Sequence, residues 1–417
     1  MPSGRSEQIL VGLDVGTTKI CTVVGEVVRG TLLIRGMQIS PAQGMRKGVV
    51  VNMDELTLSI ANALREAESG CGVEINSVYL GLSGAHVKGF GSIGAAGIGG
   101  REVGRREIEE ALDSARSVYV PLDRDVLHVL PAGYAVDGQN GITDPSGMTC
   151  ERLEAHVFVV TASVSAVRNL VACVNKAGVE GVEVVFSPLA SAGVFLTEEE
   201  REMGAVFVDI GGGTTDILFF RDGWPRHCSV LAVGGNHFTN DIAVGLGVSV
   251  SEAEHIKKHV GIEALRRAGD GDEIEVSYEG RKRAFSRSRL VEILEARSYE
   301  VLDLIRKELT QCAAGDIAPT KVVLAGGGAL LNGLDRMAES VWGVPVRLGS
   351  PLKKRGVQNM PDAPACATAA GLVLYGFDAL PDMVRTRDAV AGVFGFIKGL
   401  AKEIFNRKKG GIAYVRN

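Results

Sequence analysis

The chain has 417 residues, 46% of them hydrophobic, with 45 basic and 50 acidic side chains and a net charge of −5. That length and apolar content supply two to four domains with ample core, and the acidic balance leaves no overall basic footprint for nucleic acid. Seven cysteines are scattered without a CxxC pair, which argues for a reducing cytoplasm and against a disulfide framework or a zinc site. Met1–Gln8 are polar, with no signal-peptide pattern, and no run of eighteen apolar residues is there to span a membrane.

In chain order, Ile9–Val15, Ile20–Val28 and Thr31–Ile39 predict three strands. Asp54 is the expected N-cap of a helix through Glu68, with Leu56, Ile60, Leu64 and Ala67 on one face and Gly70 past its end. Ser77–Leu82 predicts a fourth strand. Gly89-Phe90-Gly91-Ser92-Ile93-Gly94 fits GxGxxG, but that fingerprint needs a helix opening on its last glycine. Ala95–Gly100 follows instead, half of it glycine, so a loop or glycine-rich strand pair is expected and not dinucleotide binding. No Walker A sequence occurs, which excludes a P-loop NTPase. From about Ser83 to Ala162 the pattern is that of a small α+β insertion. Arg105–Ser117 is its amphipathic helix, Val126–Val136 a strand or two, Asp137–Gly147 a turn-rich loop and Glu154–Thr161 a further strand. Ser163–Ala177 then predicts a helix closed by Gly178, Val182–Phe186 a buried strand, and Pro188 opens a helix into the second half.

That half begins with Val206-Phe207-Val208-Asp209-Ile210-Gly211-Gly212-Gly213-Thr214-Thr215-Asp216-Ile217. Gly211, Gly212 and Gly213 let backbone N–H groups turn inward toward a phosphate. Thr214 and Thr215 add hydroxyl donors, and Asp209 can hold a magnesium ion through its water shell. Alone, the stretch also reads as an ordinary hairpin with a glycine-rich turn. It does not stand alone. Leu13-Asp14-Val15-Gly16-Thr17-Thr18-Lys19-Ile20 repeats the order apolar, Asp, apolar, Gly, two threonines, a charged residue and Ile. Each copy is followed by a strand, a short turn (28–31 and 221–224) and a possible third strand. Two copies predict a duplicated βββ unit with one phosphate loop per half, facing across an interdomain cleft.

Further on, Gly234-Gly235-Asn236 turns into a helix at Asn240–Leu246, and Ser251-Glu252-Ala253-Glu254 has the form of a capping box. Glu254 and Lys257 lie one turn apart, placed either to reach a ribose or to form a solvated ion pair. Glu273–Ser277 and Arg281–Phe285 predict a hairpin, and Ser288–Cys312 a core helix. The strand Lys321–Ala325 delivers Gly326-Gly327-Gly328-Ala329, where a flat purine can lie on bare backbone, with a helix from Leu330. Ala367–Gly371 reads as close small-residue helix packing or as a hinge. In the tail, Val393, Phe394, Phe396, Ile397, Leu400, Ala401, Ile404 and Phe405 gather on one side of a helical wheel and Lys398, Lys402, Glu403, Asn406 and Arg407 on the other. Gly395 and Gly399 weaken such a helix in water. A basic amphipathic helix after a linker is the pattern of an in-plane membrane anchor. A helix docked on the protein's own core is the alternative.

Three stretches go further: "HVLPAGYAVDGQNGITDPSGMTCERLEAHVFVVTAS" (128–163), "SPLASAGVFLTEEEREMGAVFVDIGGGTTDI" (187–217) and "VGGNHFTNDIAVGLGVSVSEAEHIK" (233–257). They resemble the FtsA family of bacterial cell-division proteins, in the actin/Hsp70/sugar-kinase superfamily, and the resemblance runs in order from about residue 8 to 376. It implies an α/β, actin-like (ribonuclease H-like) two-domain ATP-binding fold. Subdomain 1A would be 1–82 and 163–197, the family's inserted subdomain 1C 83–162, subdomain 2A 198–226 and 297–378, and subdomain 2B 227–296. A linker (379–390) and an amphipathic helix (391–408) would follow.

The resemblance also implies ATP and Mg2+ as cofactors. Asp14, Gly16, Thr17, Thr18 and Lys19 would face Asp209, Gly211–Thr215 and Gly234–Asn236 around the phosphates, with Asp14 and Asp209 on the metal through water. Glu254 and Lys257 would take the ribose and Gly326–Ala329 the adenine. Phe394, Ile397, Lys398, Leu400, Lys402, Ile404 and Phe405 would meet an anionic membrane surface. Implied partners are the FtsZ C-terminal peptide at 2B, other copies in a polymer, and later division proteins at 1C, on the cytoplasmic face of the membrane at midcell. An insertion without a partner is the plainer reading of 83–162. Ser187 departs from chaperone- and filament-type relatives, which carry an acid or amide before this proline; it cannot act as a carboxylate base, so at most a slow ATPase is expected. The rival readings are a sugar or acid kinase of the superfamily, for which no catalytic aspartate is left once Asp14 and Asp209 serve magnesium, and a pilus-assembly relative, which would lack the 83–162 pattern and the tail.

Overall fold

The computed structural model describes residues 8–261, 273–312, 319–352 and 363–380. The chain from 381 on, with nearly all of the expected linker and the whole 391–408 helix, lies outside the described residues.

The first half opens with an antiparallel meander, β1 (Gln8–Val15), β2 (Lys19–Val28) and β3 (Thr31–Pro41). A two-residue pair, β4 (Met45–Arg46) and β5 (Val49–Val50), follows, unannounced by any periodicity. The helix Met53–Cys71 starts two residues earlier than expected, because Asn52 and not Asp54 is its cap. The Asn52 Oδ1 accepts the N–H groups of Asp54 (3.1 Å) and Glu55 (3.2 Å), and Gly72 closes the helix in the left-handed conformation. Next, β6 (Ser77–Leu82) runs parallel to β1.

The insertion is a four-stranded sheet of β7 (Lys88–Glu102), β8 (Arg124–Val136), β9 (Gln139–Ile142) and β10 (Thr149–Ser163), ordered β7-β10-β8-β9, with the helix Arg105–Arg116 on one face. The GxGxxG segment is the first half of β7. Its Gly94 is there because a side chain would strike the backbone of Ala111 and Ala115 in that helix. Helix Val164–Lys176 leads to β11 (Gly181–Phe186), parallel to β6.

The second half repeats the plan. β12 (Ala205–Ile210), β13 (Thr215–Arg221) and β14 (Trp224–Leu231) form the meander. A two-stranded ribbon, β15 (Glu273–Tyr278) and β16 (Arg281–Ser286), precedes the helix Arg287–Cys312. Finally β17 (Lys321–Ala325) and β18 (Val346–Leu348) add in parallel to β12. The two central sheets are β3-β2-β1-β6-β11 and β14-β13-β12-β17-β18, the same order and the same mixture of pairings. Their interiors are two apolar clusters, and a smaller one fills the insertion.

Two helices cross between the sheets. Ser187–Phe195 follows the first lobe yet lies against β12 and β13, while Ala367–Ala379 follows the second lobe yet lies against β1, β2 and β6. Their contact is backbone-close: a side chain at Gly371 would strike the Ala190 carbonyl, and the Ser191 and Thr368 hydroxyls meet at 2.9 Å.

Candidate functional site

Each phosphate-loop candidate is the first hairpin turn of its lobe. The Gly16 N–H donates to the Lys19 carbonyl, and the Gly211 N–H to the Thr214 carbonyl, both at 2.9 Å. The register Asp14↔Cys21 matches Asp209↔Asp216. Thr17 and Thr18 therefore correspond to Gly212 and Gly213, and Lys19 to Thr214, a pairing two residues away from the one that residue order suggests. Thr215 is a fully buried strand residue whose hydroxyl donates to the Val233 carbonyl at 2.8 Å. Thr214 is the threonine that sits in the loop.

The two turns meet between the lobes. A side chain at Gly212 would put its first carbon 2.6 Å from Thr18 Cγ2, and one at Gly213 would lie 2.6 Å from Thr17 Oγ1. The Lys19 ammonium donates to the Ala365 carbonyl, and the neighbouring Pro364 carbonyl accepts the Gly326 N–H at 2.8 Å. One short turn thus straps the first hairpin turn to the glycine run.

Beside the loops stand Asp14, Asp209 and Asp216. Burial pushes Asp14 up to about 6 against the pull of Lys19. Burial and then the Asp14 charge push Asp209 up to about 7. Asp216 is raised well above the usual range by burial and by Asp209, although it accepts a hydrogen bond from the Ser83 hydroxyl of the opposite lobe.

The second lobe supplies the rest. The helix Gly235–Leu246 begins five residues before the expected Asn240, because the glycine turn is its own first turn. Its Gly235 and Asn236 N–H groups donate to the Gly211 and Gly212 carbonyls, both at 2.8 Å, so these residues fix the second turn from behind. In the next helix, Val250–His259, the cap is Ser249, whose Oγ accepts the Glu252 N–H at 3.1 Å; the expected box of Ser251 and Glu254 does not form. Glu254 is thereby left to Lys257, 2.6 Å away, and Lys257 also donates to the Gly235 carbonyl (3.2 Å) and Thr239 Oγ1 (3.0 Å). The pair is partly buried, not a solvated surface pair. Burial lowers the Lys257 pKa against the opposing Glu254. Burial would raise Glu254, but Lys257, Thr239 and Lys258 overcome it and hold the carboxyl low.

The glycine run closes the site from a third side. Gly326, at φ +84°, sits where a side chain would strike Asp209 Oδ1, and one at Gly328 would lie 2.5 Å from Ile210 Cγ2. Gly327 faces open space and Ala329 is buried. A 3-10 turn at Gly327–Leu330 replaces the helix expected from Leu330; the helix that follows is Leu334–Trp342. A side chain at Gly235 would lie 3.5 Å from Lys257 Nζ and 3.8 Å from Gly328 Cα, so all three second-lobe motifs converge. Asp216, Thr239 and Ala365 join them unforeseen, and Ser83 touches this group through its bond to the Asp216 carboxyl. Asp216 had a signal, since it is the second acid of the motif; Ser83 and Ala365 had none.

Among the described residues no three His, Cys, Asp or Glu converge to ligate a metal directly. The donor set at Asp14 and Asp209 is all oxygen, which fits a hard divalent cation held through its water shell.

Two lobes built on one duplicated meander, each with a register-matched glycine-bearing first turn, define an actin-like protein. Solved structures agree at the level of fold: a type IV pilus PilM–PilN complex (TM-score 0.61, 19% identity, covering 88% of this chain and 98% of that one) and MreB5 of Spiroplasma citri bound to AMPPNP (TM-score 0.51, 14% identity, 96% and 99%). Sequence narrows the class. The family model for cell division protein FtsA matches residues 206–371, and that for the SHS2 domain inserted in FtsA matches 84–161. The FtsA of Pseudomonas aeruginosa is 40% identical over 385 residues, 92% of each chain. That of Borreliella burgdorferi is 38% identical (89% of this chain, 91% of that one), and that of Escherichia coli 36% (90% and 92%). The chain belongs to the FtsA family of actin-like cell-division proteins, and the kinase and pilus-assembly readings are set aside.

Proposed function

We propose that this protein binds a magnesium-complexed adenine nucleotide between its lobes, polymerises, and tethers FtsZ to the cytoplasmic face of the membrane at the septum. The observation that carries the proposal is the meeting of two register-matched phosphate loops beside Asp14 and Asp209, with Lys257, Gly235 and the Gly326–Gly328 run closing the same space. In that space Thr17, Thr18, Thr214 and the loop N–H groups would hold the phosphates, Glu254 and Lys257 the ribose, and Gly327 the purine face. The magnesium ion, held through water by Asp14 and Asp209, would neutralise phosphate charge. Ser187 is buried at the start of its helix and carries no base. Nucleotide state would therefore act through cleft closure and assembly more than through fast cycling.

The FtsZ contact is proposed at subdomain 2B and the contact with later division proteins at 1C. The β15–β16 ribbon supports the former: most of its residues are exposed and many are charged, while Val276 and Phe285 pack into the second lobe's apolar cluster and Arg283 pairs with Glu252 at 3.0 Å. The test is co-sedimentation of the full chain with FtsZ in the presence of Mg-ATP, alongside a variant lacking 273–285. Loss of FtsZ with ATP binding retained is expected; retention of FtsZ by the variant would place the contact elsewhere.

A further inference from the structure

The insertion 83–162 is wired to the nucleotide cleft at its root. Ser83, the first residue after β6, donates its hydroxyl to Asp216 across the gap between the lobes. The chain at 83–84 is threaded through a tight space: a side chain at Gly48 would lie 2.9 Å from Gly84 Cα, 3.1 Å from the Ser83 carbonyl and 3.3 Å from Thr214 Cγ2. Arg124 then binds the insertion's two ends together, donating to the His86 carbonyl (2.9 Å) and to Thr161 Oγ1 (3.0 Å). On its far side the insertion holds the first lobe again, where His128 Nε2 accepts the Phe186 N–H at 2.9 Å.

The same subdomain also leans on the second lobe. β7 and β8 lie against β14, the edge strand of the second sheet. At Gly89 the fit is close enough that a side chain would put its first carbon 2.5 Å from Cys228 Sγ. The insertion is thus fastened to one lobe and rests on the other. Parting the lobes must break the Ser83–Asp216 bond and slide β7 and β8 off β14.

We propose that Ser83 is a positioning residue through which the phosphate loop and the insertion set each other's place: cleft closure seats the insertion on β14, and cleft opening releases it. The proposal rests on the nucleotide-binding reading and goes beyond it. By linkage, anything that grips the insertion better in one of its two positions must bind with a nucleotide-dependent affinity, and must change nucleotide affinity by the same factor.

The test is hydrogen exchange on the full chain with and without saturating Mg-ATP, with calorimetry confirming that each protein binds. In the wild type, ATP should slow exchange in β7 and β14 by at least about fivefold, the low end of allosteric couplings. Ser83→Ala should lose most of that protection in β7 while still binding ATP, and Ser83→Thr, which keeps the hydroxyl, should recover it. Binding of ATP by the wild type with β7 unchanged overturns the proposal, as does full β7 protection in Ser83→Ala. A wild type that binds no ATP at all overturns the nucleotide reading and this proposal with it. The wild-type comparison stands by itself if Ser83→Ala fails to fold.

Discussion

Asp209 has a carboxyl group that folding makes harder to ionise. Its pKa rises from 3.8 to about 7, first through burial and then through Asp14. A group raised in this way binds its proton more tightly in the folded state. The stability it contributes is complete below about pH 4 and is lost as pH climbs through about 7. Asp209→Asn should therefore match the wild type in urea at low pH and grow more stable relative to it between about pH 4 and 7, by at most roughly 4 kcal/mol. A difference constant with pH, measured without nucleotide, would contradict this. At Gly212 the argument is steric. Valine there meets Thr18 as well as any phosphate, so Gly212→Val should abolish ATP binding in calorimetry while the far-ultraviolet circular dichroism stays native. Unchanged affinity would remove the second phosphate loop from the site. Thr215 shows what residue types alone conceal, because a hydroxyl in a glycine-threonine motif looks like a donor to phosphate until the strand register turns it onto Val233.

At the scale of elements, the crossing of Ser187–Phe195 and Ala367–Ala379 joins the lobes through small residues. Gly371→Ala should cost at least about 2 kcal/mol of unfolding free energy, because a methyl group there meets the Ala190 backbone, which cannot turn aside as a side chain can. A loss below about 0.5 kcal/mol in urea, the range of innocuous surface changes, would mean the crossing is loose. Most elements were legible because period and punctuation agreed: the meanders, the ribbon and the long helix Arg287–Cys312 lie within a residue or two of expectation. The misreadings share a cause. Where several capping residues compete, as Asn52 with Asp54 or Ser249 with Ser251, the winner depends on where the preceding chain enters. A capping pattern cannot supply that. The β7 glycines left loop and strand both open for a related reason, and the strand is what forms, with Gly94 answering to a helix that lies across it.

The whole molecule adds the tail, which lies outside the described residues. Residues 391–417 carry Lys398, Lys402, Arg407, Lys408, Lys409 and Arg416 against the single acid Glu403. Each base near an anionic leaflet contributes about 1 kcal/mol, and each buried Phe, Ile or Leu up to roughly 1.5–3 kcal/mol, less the cost of ordering the helix. Binding should be reversible and strengthened when assembly presents several tails at once. Removing 391–417 should release the protein from anionic vesicles in flotation and leave ATP affinity unchanged; full-length protein that floats with no vesicle would make the tail a docked helix.

The crossed helices bear on synthesis as well. The apolar cluster under β1 and β2 is completed by Ala367, Ala369, Ala370, Val373 and Phe377, from the last described helix of the chain. On the ribosome, the first sheet waits with that face bare from about residue 196 until residue 379 emerges. At bacterial or eukaryotic rates of roughly 5–20 residues per second, the wait is on the order of ten to forty seconds. A nascent chain exposed for that long is a natural client for chaperones. Truncation anywhere before residue 379 should yield an aggregating fragment, not a folded first lobe.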